Sequence, residues 1–167
     1  APYEDDASSG LPAWEPRDLD AFVAEADRRG WQVEIHAIGD RGVRMALDAF
    51  EHAAAANGPW IGDPHGQGAT AGTHARRHRV EHIETIDWAD VPRFGALGVI
   101  ASMQPPHTSL MNRPNPKGQW SENIGPERQS HGWPWKSIAQ GGGRLAFGSD
   151  WPVASLNPLR GIWTGLG

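Results

Sequence analysis

The sequence predicts an α/β fold with parallel strands, amounting to a partial (β/α)8 barrel of about four βα units. Three observations predict it. Helical apolar spacing and short strand-like runs alternate along the chain four times, which implies parallel strands joined by right-handed crossovers. The strand-like runs look apolar on both faces, as expected for a sheet covered by helices. The chain has 167 residues, fewer than the roughly 250 of a complete barrel.

Each element follows from local signals. A helix begins at Pro16, a favoured first helical residue, and closes at Gly30. A strand ends at His36, and Asp40 is placed to cap the next helix. The remaining predicted segments, in chain order, are a loop over 58–75, a strand over 79–83, a short helix after Asp87, a strand over 98–103, an irregular loop over 104–133, a helix over 134–139 and a strand over 145–148.

Composition bounds the function. The chain has the length of one domain, and its 38% apolar and 21% charged residues fit a folded protein. The net charge of −5 disfavours nucleic acid as a partner. No apolar run is long enough to cross a bilayer, so we expect no membrane partner. Cysteine is absent, which leaves His and carboxylates to hold any metal and fits a cytoplasmic protein.

Ligand-type residues stand at the ends of the predicted strands. His36, His82 and Asp150 end three of them, and Gln104 and His107 follow the fourth. Because the carboxyl ends of parallel barrel strands share one face, these groups can meet there. Imidazole and carboxylate suit zinc and similar divalent ions.

Each of these residues also has a purely structural interpretation. A single His at a strand end is more often a hydrogen-bonded structural residue than a ligand, and Asp150 can simply cap a turn. Glu81 is expected to pair with a neighbouring Arg, and His78 begins its strand at the end away from the chemistry. The repetition of ligand-type residues at equivalent strand ends is what favours a metal site.

Four motifs carry a family resemblance. They are His-Ala-Ile-Gly-Asp-Arg at 36–41, Arg-Val-Glu-His at 79–82, Ser-Met-Gln-Pro at 102–105 and Phe-Gly-Ser-Asp-Trp-Pro-Val at 147–153. Together they resemble the amidohydrolase superfamily, and most closely the YtcJ-like branch of its amidohydrolase 3 group. The resemblance covers nearly the whole chain, with the motifs in the family's order.

The resemblance implies the C-terminal half of a metal-dependent TIM-barrel hydrolase that cleaves amide-type C–N bonds with metal-activated water. His36 and His82 match metal ligands of the fifth and sixth strands. Asp150 matches the aspartate after the eighth strand, which contacts metal and acts as the catalytic proton carrier. Zinc, as one or two ions, is the expected cofactor, and a small amide-type molecule is the expected substrate.

The family's remaining ligands are a His-x-His pair on the first strand and a Lys on the fourth. The sequence contains no His-x-His string. We therefore expect residues 1–167 to be the C-terminal half of the domain, with the first-half strands absent, and the isolated chain to be inactive.

Several alternatives stay open. Gln104 and His107 either bind substrate or pin the following loop, and the segment 104–133, with Trp120 and Trp133, either forms a specificity wall or packs passively on the barrel mouth. The chain could instead be a non-catalytic barrel half that assembles as a homo-oligomer or with a complementing N-terminal half. A deacetylase, a phosphotriesterase-like enzyme and a cyclic amidase all remain compatible with the motifs.

Overall fold

The main sheet has four parallel strands, as the sequence predicted. A computed structural model describes residues 2–4, 7–58, 60–61, 73–74, 76–111 and 119–166. The strands are β1 (Glu34–Ala37), β2 (Trp60–Ile61), β3 (Thr73–His74), β4 (Arg79–His82), β5 (Ile100–Met103) and β6 (Arg144–Phe147). The main sheet has the order β1-β4-β5-β6, and β2 pairs with β3 in an antiparallel ribbon.

Helices connect these strands in the predicted alternation. They are α1 (Pro16–Arg28), α2 (Asp40–Asn57), α3 (Val91–Leu97), α4 (Pro105–Met111), α5 (Gln119–Gln129), α6 (Trp135–Gln140) and α7 (Pro158–Leu166), with a 3-10 turn at Trp88–Asp90 before α3. Within the described ranges, none of these helices combines the length and apolarity needed to span a membrane. The mixed α/β architecture matches part of a TIM barrel.

The hydrophobic core lies between one face of the sheet and the helices. The row Ile35, Val80, Ala101 and Leu145 runs across the four strands in register and packs with the buried apolar side chains of the helices. These include Val23, Leu47, Phe50, Phe94 and Ile138. The apolar faces of α1, α2, α3 and α6 therefore fix the sheet's orientation and leave its other face free.

The other face of the sheet is polar, contrary to the expectation of strands apolar on both faces. Side chains alternate along a strand, so the rows next to the core row point away from the helices. One row places Glu34 beside Arg79, and the next places His36 beside Glu81. Only one sheet face is thus buried by the helices of the described chain.

The segment 104–133 is not the irregular loop that the sequence predicted. It contains α4 and most of it beyond residue 118 forms α5, while residues 112–118 lie outside the described part of the chain. These helices are short and carry no strong apolar period, so the sequence gave no helical signal. Long-range backbone bonds hold the end of the segment, with Trp133 N donating to Glu84 O at 3.1 Å and Ile86 N to His131 O at 3.3 Å.

Two other local predictions need adjustment. The residue that caps α2 is Gly39, and the Asp40 carboxylate accepts instead from the Arg41 amide at 2.8 Å. Of the loop predicted over 58–75, residues 62–72 lie outside the described chain. Gly98, by contrast, ends α3 in the left-handed conformation with φ of 66°, the backbone region that favours glycine at a helix end.

Candidate metal centre

His82 ends β4 in an uncommon backbone conformation. Strand alternation would turn its side chain toward the core, like that of Val80, but His82 has φ of 79° and Ile83 has φ of 54°. Positive φ is unusual for such residues and clusters at functional sites. The His82 side chain is 8% exposed, and its Nδ1 has no hydrogen-bond partner among the described residues.

His107 reaches the same place from the first turn of α4. That helix starts directly after β5, and the His107 amide donates to the Gln104 carbonyl at 2.9 Å. The side chain is 3% exposed. Its Nδ1 lies 3.5 Å from Glu84 Oε1, while its Nε2 is buried without a partner in the described chain.

Asp150 comes from the turn after β6. It has φ of 53°, a left-handed value that Asp tolerates better than most residues, and its carbonyl accepts from the Val153 amide at 2.7 Å. The residue is exposed. Its carboxylate is therefore open to water and to a ligand while the backbone of the turn stays fixed.

The three residues converge. One ligand-type atom from each of His82, His107 and Asp150 lies within 4.8 Å of the others. Ligands of one tetrahedral zinc ion lie roughly 3.4 Å apart, given metal bonds of about 2.1 Å, so small side-chain rotations would close the set. Two imidazoles and a carboxylate suit zinc and similar ions. The buried, unpartnered imidazole nitrogens agree with this fit, because such atoms rarely stay unpaired in a folded protein.

His36 adjoins this group without belonging to it. It is the last residue but one of β1, on the exposed side, and its ring contacts His82 edge-on with centroids 4.3 Å apart. It is not among the three residues whose ligand atoms gather within 4.8 Å. The structure thus brings all three predicted ligands to one rim, but it puts His107, predicted to bind substrate, where the sequence placed His36.

The surroundings of His82 favour its neutral form. Burial lowers the pKa of His82 below its ordinary value, and the charge of His36 lowers it further, while the Asp150 carboxylate acts in the opposite direction. A lowered pKa favours neutral imidazole, and only neutral imidazole has a lone pair for a metal ion.

Glu84 is a residue that the sequence reasoning missed. It is 4% exposed and faces His107 Nδ1. Metal-bound histidines commonly direct their second ring nitrogen at a carboxylate, which fixes the ring's orientation. The signal was a carboxylate two residues after His82, beyond the strand end.

Gln104 lies at the same rim but is turned toward β4. Its side chain is 5% exposed, and Nε2 donates to Glu81 Oε2 at 2.9 Å. Its Oε1 is buried without a partner in the described chain. Glu81 Oε1 also lies 3.0 Å from Arg79 Nε, so the predicted pairing of Glu81 with a neighbouring Arg is confirmed.

A separate cavity of about 620 Å³ runs along the outer side of β1. Its lining includes Trp14, Phe22, Ile35, His36, Asp40 and Trp120. None of the three converging residues is in that lining. The cavity therefore touches the candidate metal centre through His36 alone among the predicted ligands.

Known proteins resemble this chain over nearly all of its length. It is 37% identical over 158 residues to the protein LONG AFTER FAR-RED 3 of Arabidopsis thaliana, covering 94% of this chain and 24% of that protein. It is 27% identical over 163 residues to the putative amidohydrolase YtcJ of Bacillus subtilis (strain 168), covering 96% of this chain and 26% of that protein. The chain thus spans about a quarter of the length of these relatives.

Solved structures agree with the fold. A metal-dependent hydrolase from Pyrococcus furiosus superposes with a TM-score of 0.74 at 25% identity, over 98% of this chain and 29% of that one. A metal-dependent hydrolase from Pyrococcus horikoshii OT3 superposes with a TM-score of 0.72 at 25% identity, over 98% and 28%. The model of the amidohydrolase family matches residues 1–167. The fold, the motifs and these matches together show that the chain belongs to the amidohydrolase family.

Proposed function

We propose that this chain supplies the C-terminal part of the active site of a metal-dependent amidohydrolase that cleaves an amide-type C–N bond. The observation that carries the proposal is the convergence of His82, His107 and Asp150 within 4.8 Å. Membership of the amidohydrolase family supports it. Residues 1–167 are then the C-terminal half of a barrel domain, and a small amide is the substrate.

The proposed ligands of the ion are His82, His107 and Asp150, with His36 completing the site from β1. Zinc is the proposed metal, since imidazole nitrogen and carboxylate oxygen are among its usual ligand atoms. A divalent ion bound there lowers the pKa of water and polarises the substrate carbonyl. Every further contribution comes from the side chains themselves.

Asp150 is the proposed proton carrier. Its carboxylate is exposed and adjoins the two imidazoles. It takes the proton from the attacking water as the new C–O bond forms, and it gives that proton to the amide nitrogen as the C–N bond breaks. The products are a carboxylic acid and an amine. Acid–base help of this kind contributes roughly 10²–10⁴-fold to the rate.

The test combines metal content with turnover. The complete barrel, in which residues 1–167 are joined to their N-terminal half, is stripped with a chelator, reloaded with Zn²⁺, Co²⁺ or Mn²⁺, and assayed for amine release from N-formyl and N-acetyl amines and cyclic amides. We expect metal-dependent release of amine, and a loss of roughly 10²–10⁴-fold in Asp150→Asn with unchanged thermal unfolding. The control is Asp18→Asn, which removes an exposed carboxylate from α1. Full turnover by Asp150→Asn, or no amine release from any loaded form, contradicts the proposal.

A non-catalytic role is the second candidate, favoured by the apolar surface beside β1. In the described sheet β1 pairs on one side, with β4, and next to it Leu11, Trp14 and Phe22 are 96%, 46% and 54% exposed. A complementing N-terminal half or a second copy of the chain could cover this surface. That role predicts a stable complex and no stoichiometric metal, so sedimentation and elemental analysis of one sample separate the two candidates.

A further inference from the structure

Gln104 presents a buried acceptor at the rim that carries the candidate metal centre. It follows β5 directly, and its carbonyl accepts from the His107 amide at 2.9 Å, so one tight turn holds both residues. The side chain is 5% exposed. Its Oε1 has no hydrogen-bond partner among the described residues, and a buried acceptor in that state is destabilising until a donor reaches it.

Glu81 decides which end of the Gln104 amide is presented. A carboxylate paired with a guanidinium has no proton to donate, and Arg79 lies 3.0 Å from Glu81 Oε1. Glu81 Oε2 can therefore only accept, and it accepts from Gln104 Nε2 at 2.9 Å. The amide cannot flip without setting two oxygens against each other, so the atom left buried without a partner in the described chain is Oε1.

The row of charges behind Glu81 strengthens this orientation. Arg79 also donates through Nε to Glu34 Oε2 at 2.9 Å. Glu34, Arg79, Glu81 and Gln104 thus form a row from β1 across β4 to the end of β5, joined by the Arg79–Glu34 hydrogen bond, the Arg79–Glu81 ion pair and the Gln104–Glu81 hydrogen bond. Each member fixes the next, and the last group in the row is Gln104.

A buried, unpaired oxygen at this rim has a chemical consequence. An acceptor cannot stabilise the oxyanion that forms on a hydrolysed carbonyl, a role that requires donors. It can pair with an N–H group. In the proposed site, a substrate carbonyl at His82, His107 and Asp150 would carry its amide nitrogen two bonds from the carbonyl oxygen, and Gln104 lies in the same turn as His107.

We infer that Gln104 is a specificity-determining residue whose Oε1 accepts a hydrogen bond from the substrate's amide N–H, and that Glu81 is the residue that positions it. This inference rests on the proposed function. The substrate class is then primary and secondary amides, in preference to N-alkylated amides. A site built to pair with an N–H rejects the analogue that lacks it, because the buried acceptor is left unpaired.

Two metal-chelating probes test the inference without knowledge of the substrate. Acetohydroxamic acid carries an N–H beside its carbonyl, and N-methylacetohydroxamic acid does not. Each is titrated into the Co²⁺-loaded protein, with binding followed by the visible absorption of the ion. The quantity of interest is the ratio of the two dissociation constants, compared between variants, because differences in intrinsic chelating strength then cancel.

We expect the preference for the N–H probe to be about tenfold larger in the unaltered protein than in Gln104→Met, which keeps the side-chain length and removes the acceptor. Glu81→Gln frees the amide to turn, so it should reduce the preference in part while leaving the affinity for the N-methyl probe unchanged. The control is Gln140→Met on the exposed end of α6, which should keep the full preference.

The outcomes separate this inference from the proposed function. Equal preference in the unaltered protein, Gln104→Met and Glu81→Gln overturns the role of Gln104 and leaves the metal centre standing. Failure of both probes to perturb the Co²⁺-loaded protein overturns the two together. If Gln104→Met does not fold, Glu81→Gln alone decides, because a purely structural Glu81 would weaken both probes equally and leave their ratio unchanged.

Discussion

The histidines at the two ends of β4 differ in how fully their ring nitrogens are hydrogen-bonded. His78, just before the strand, is 2% exposed, accepts from the Val33 amide at 3.1 Å and lies 2.9 Å from Asp27 Oδ1 through Nε2. His82, at the other end, is also buried, at 8% exposed, but its Nδ1 has no hydrogen-bond partner in the described chain. Buried polar groups are normally paired, so the first histidine serves stability and the second is the proposed metal ligand.

The same contrast extends to the neighbours of each histidine. Around His78, the Asp27 carboxylate also accepts from Arg76 at 2.6 Å and from Asn57 at 2.8 Å. Near the other end of β4, the described residues His107 and Gln104 each have a buried side-chain atom without a partner. One end of the sheet is saturated with hydrogen bonds and the other is not, which is the division expected between the stability face and the active face of a barrel.

The largest effect should come from the saturated end. Asp27→Ala leaves Arg76, Asn57 and His78 without their shared acceptor, so we expect it to lower the free energy of unfolding by about 3–5 kcal/mol. Urea denaturation measures this. The control is Glu25→Ala on the same helix, because that carboxylate pairs with Arg28 and Arg29 on the exposed surface and should cost far less. Equal losses in the two variants would erase the contrast.

Exchanging the two histidines for alanine should separate affinity from stability. His82→Ala removes a proposed ligand, so metal affinity should fall by about 100-fold or more. Removing a group that only hydrogen-bonds to a ligand typically costs about 10–100-fold. Its effect on the unfolding of the metal-free protein should be smaller than that of His78→Ala, since His82 Nδ1 has no hydrogen-bond partner in the described chain. His78→Ala should do the reverse. Metal titration and denaturation on both variants check this, and parallel effects would contradict it.

The Glu84 carboxylate offers a finer test of the open end. Glu84→Ala removes the group that faces His107 Nδ1, and we expect metal affinity to fall by about 10–100-fold. Glu84→Gln keeps an oxygen there and should lose less. Glu122→Ala, on the exposed surface of α5, is the control. An unchanged affinity in Glu84→Ala would mean that His107 needs no carboxylate to orient it.

The smallest expected effect is a pH dependence from the saturated end. Burial lowers the pKa of His78 below its ordinary value of 6.5, although Asp27 opposes this. The unfolded chain therefore binds a proton below about pH 6.5 that the folded chain resists, and the free energy of unfolding should fall as pH drops through that value. His78→Gln should reduce the slope of the free energy of unfolding against pH in this range. His52→Gln, at an exposed position of α2, should leave the slope unchanged. An unaltered slope in His78→Gln would contradict the assignment of this pH dependence to His78.

Much of the fold was predictable because its signals are local. Apolar spacing predicted α1, α2 and the four parallel strands. The helices within 104–133 were not predicted because α5 is interrupted at Gly125, with φ of 74°. The residues that follow α5 are held by backbone bonds to residues 84 and 86. Such bonds join segments more than forty residues apart and leave no periodic trace.

The sequence by itself determined which strand ends carry ligand-type residues, because parallel strands bring their carboxyl ends to one edge whatever the details of packing. It could not rank His36 against His107 as the third member of the group. That choice depended on the positive φ of His82 and on where α4 places its first turn. Both are set by contacts between distant segments, and for this reason only the tertiary structure decided them.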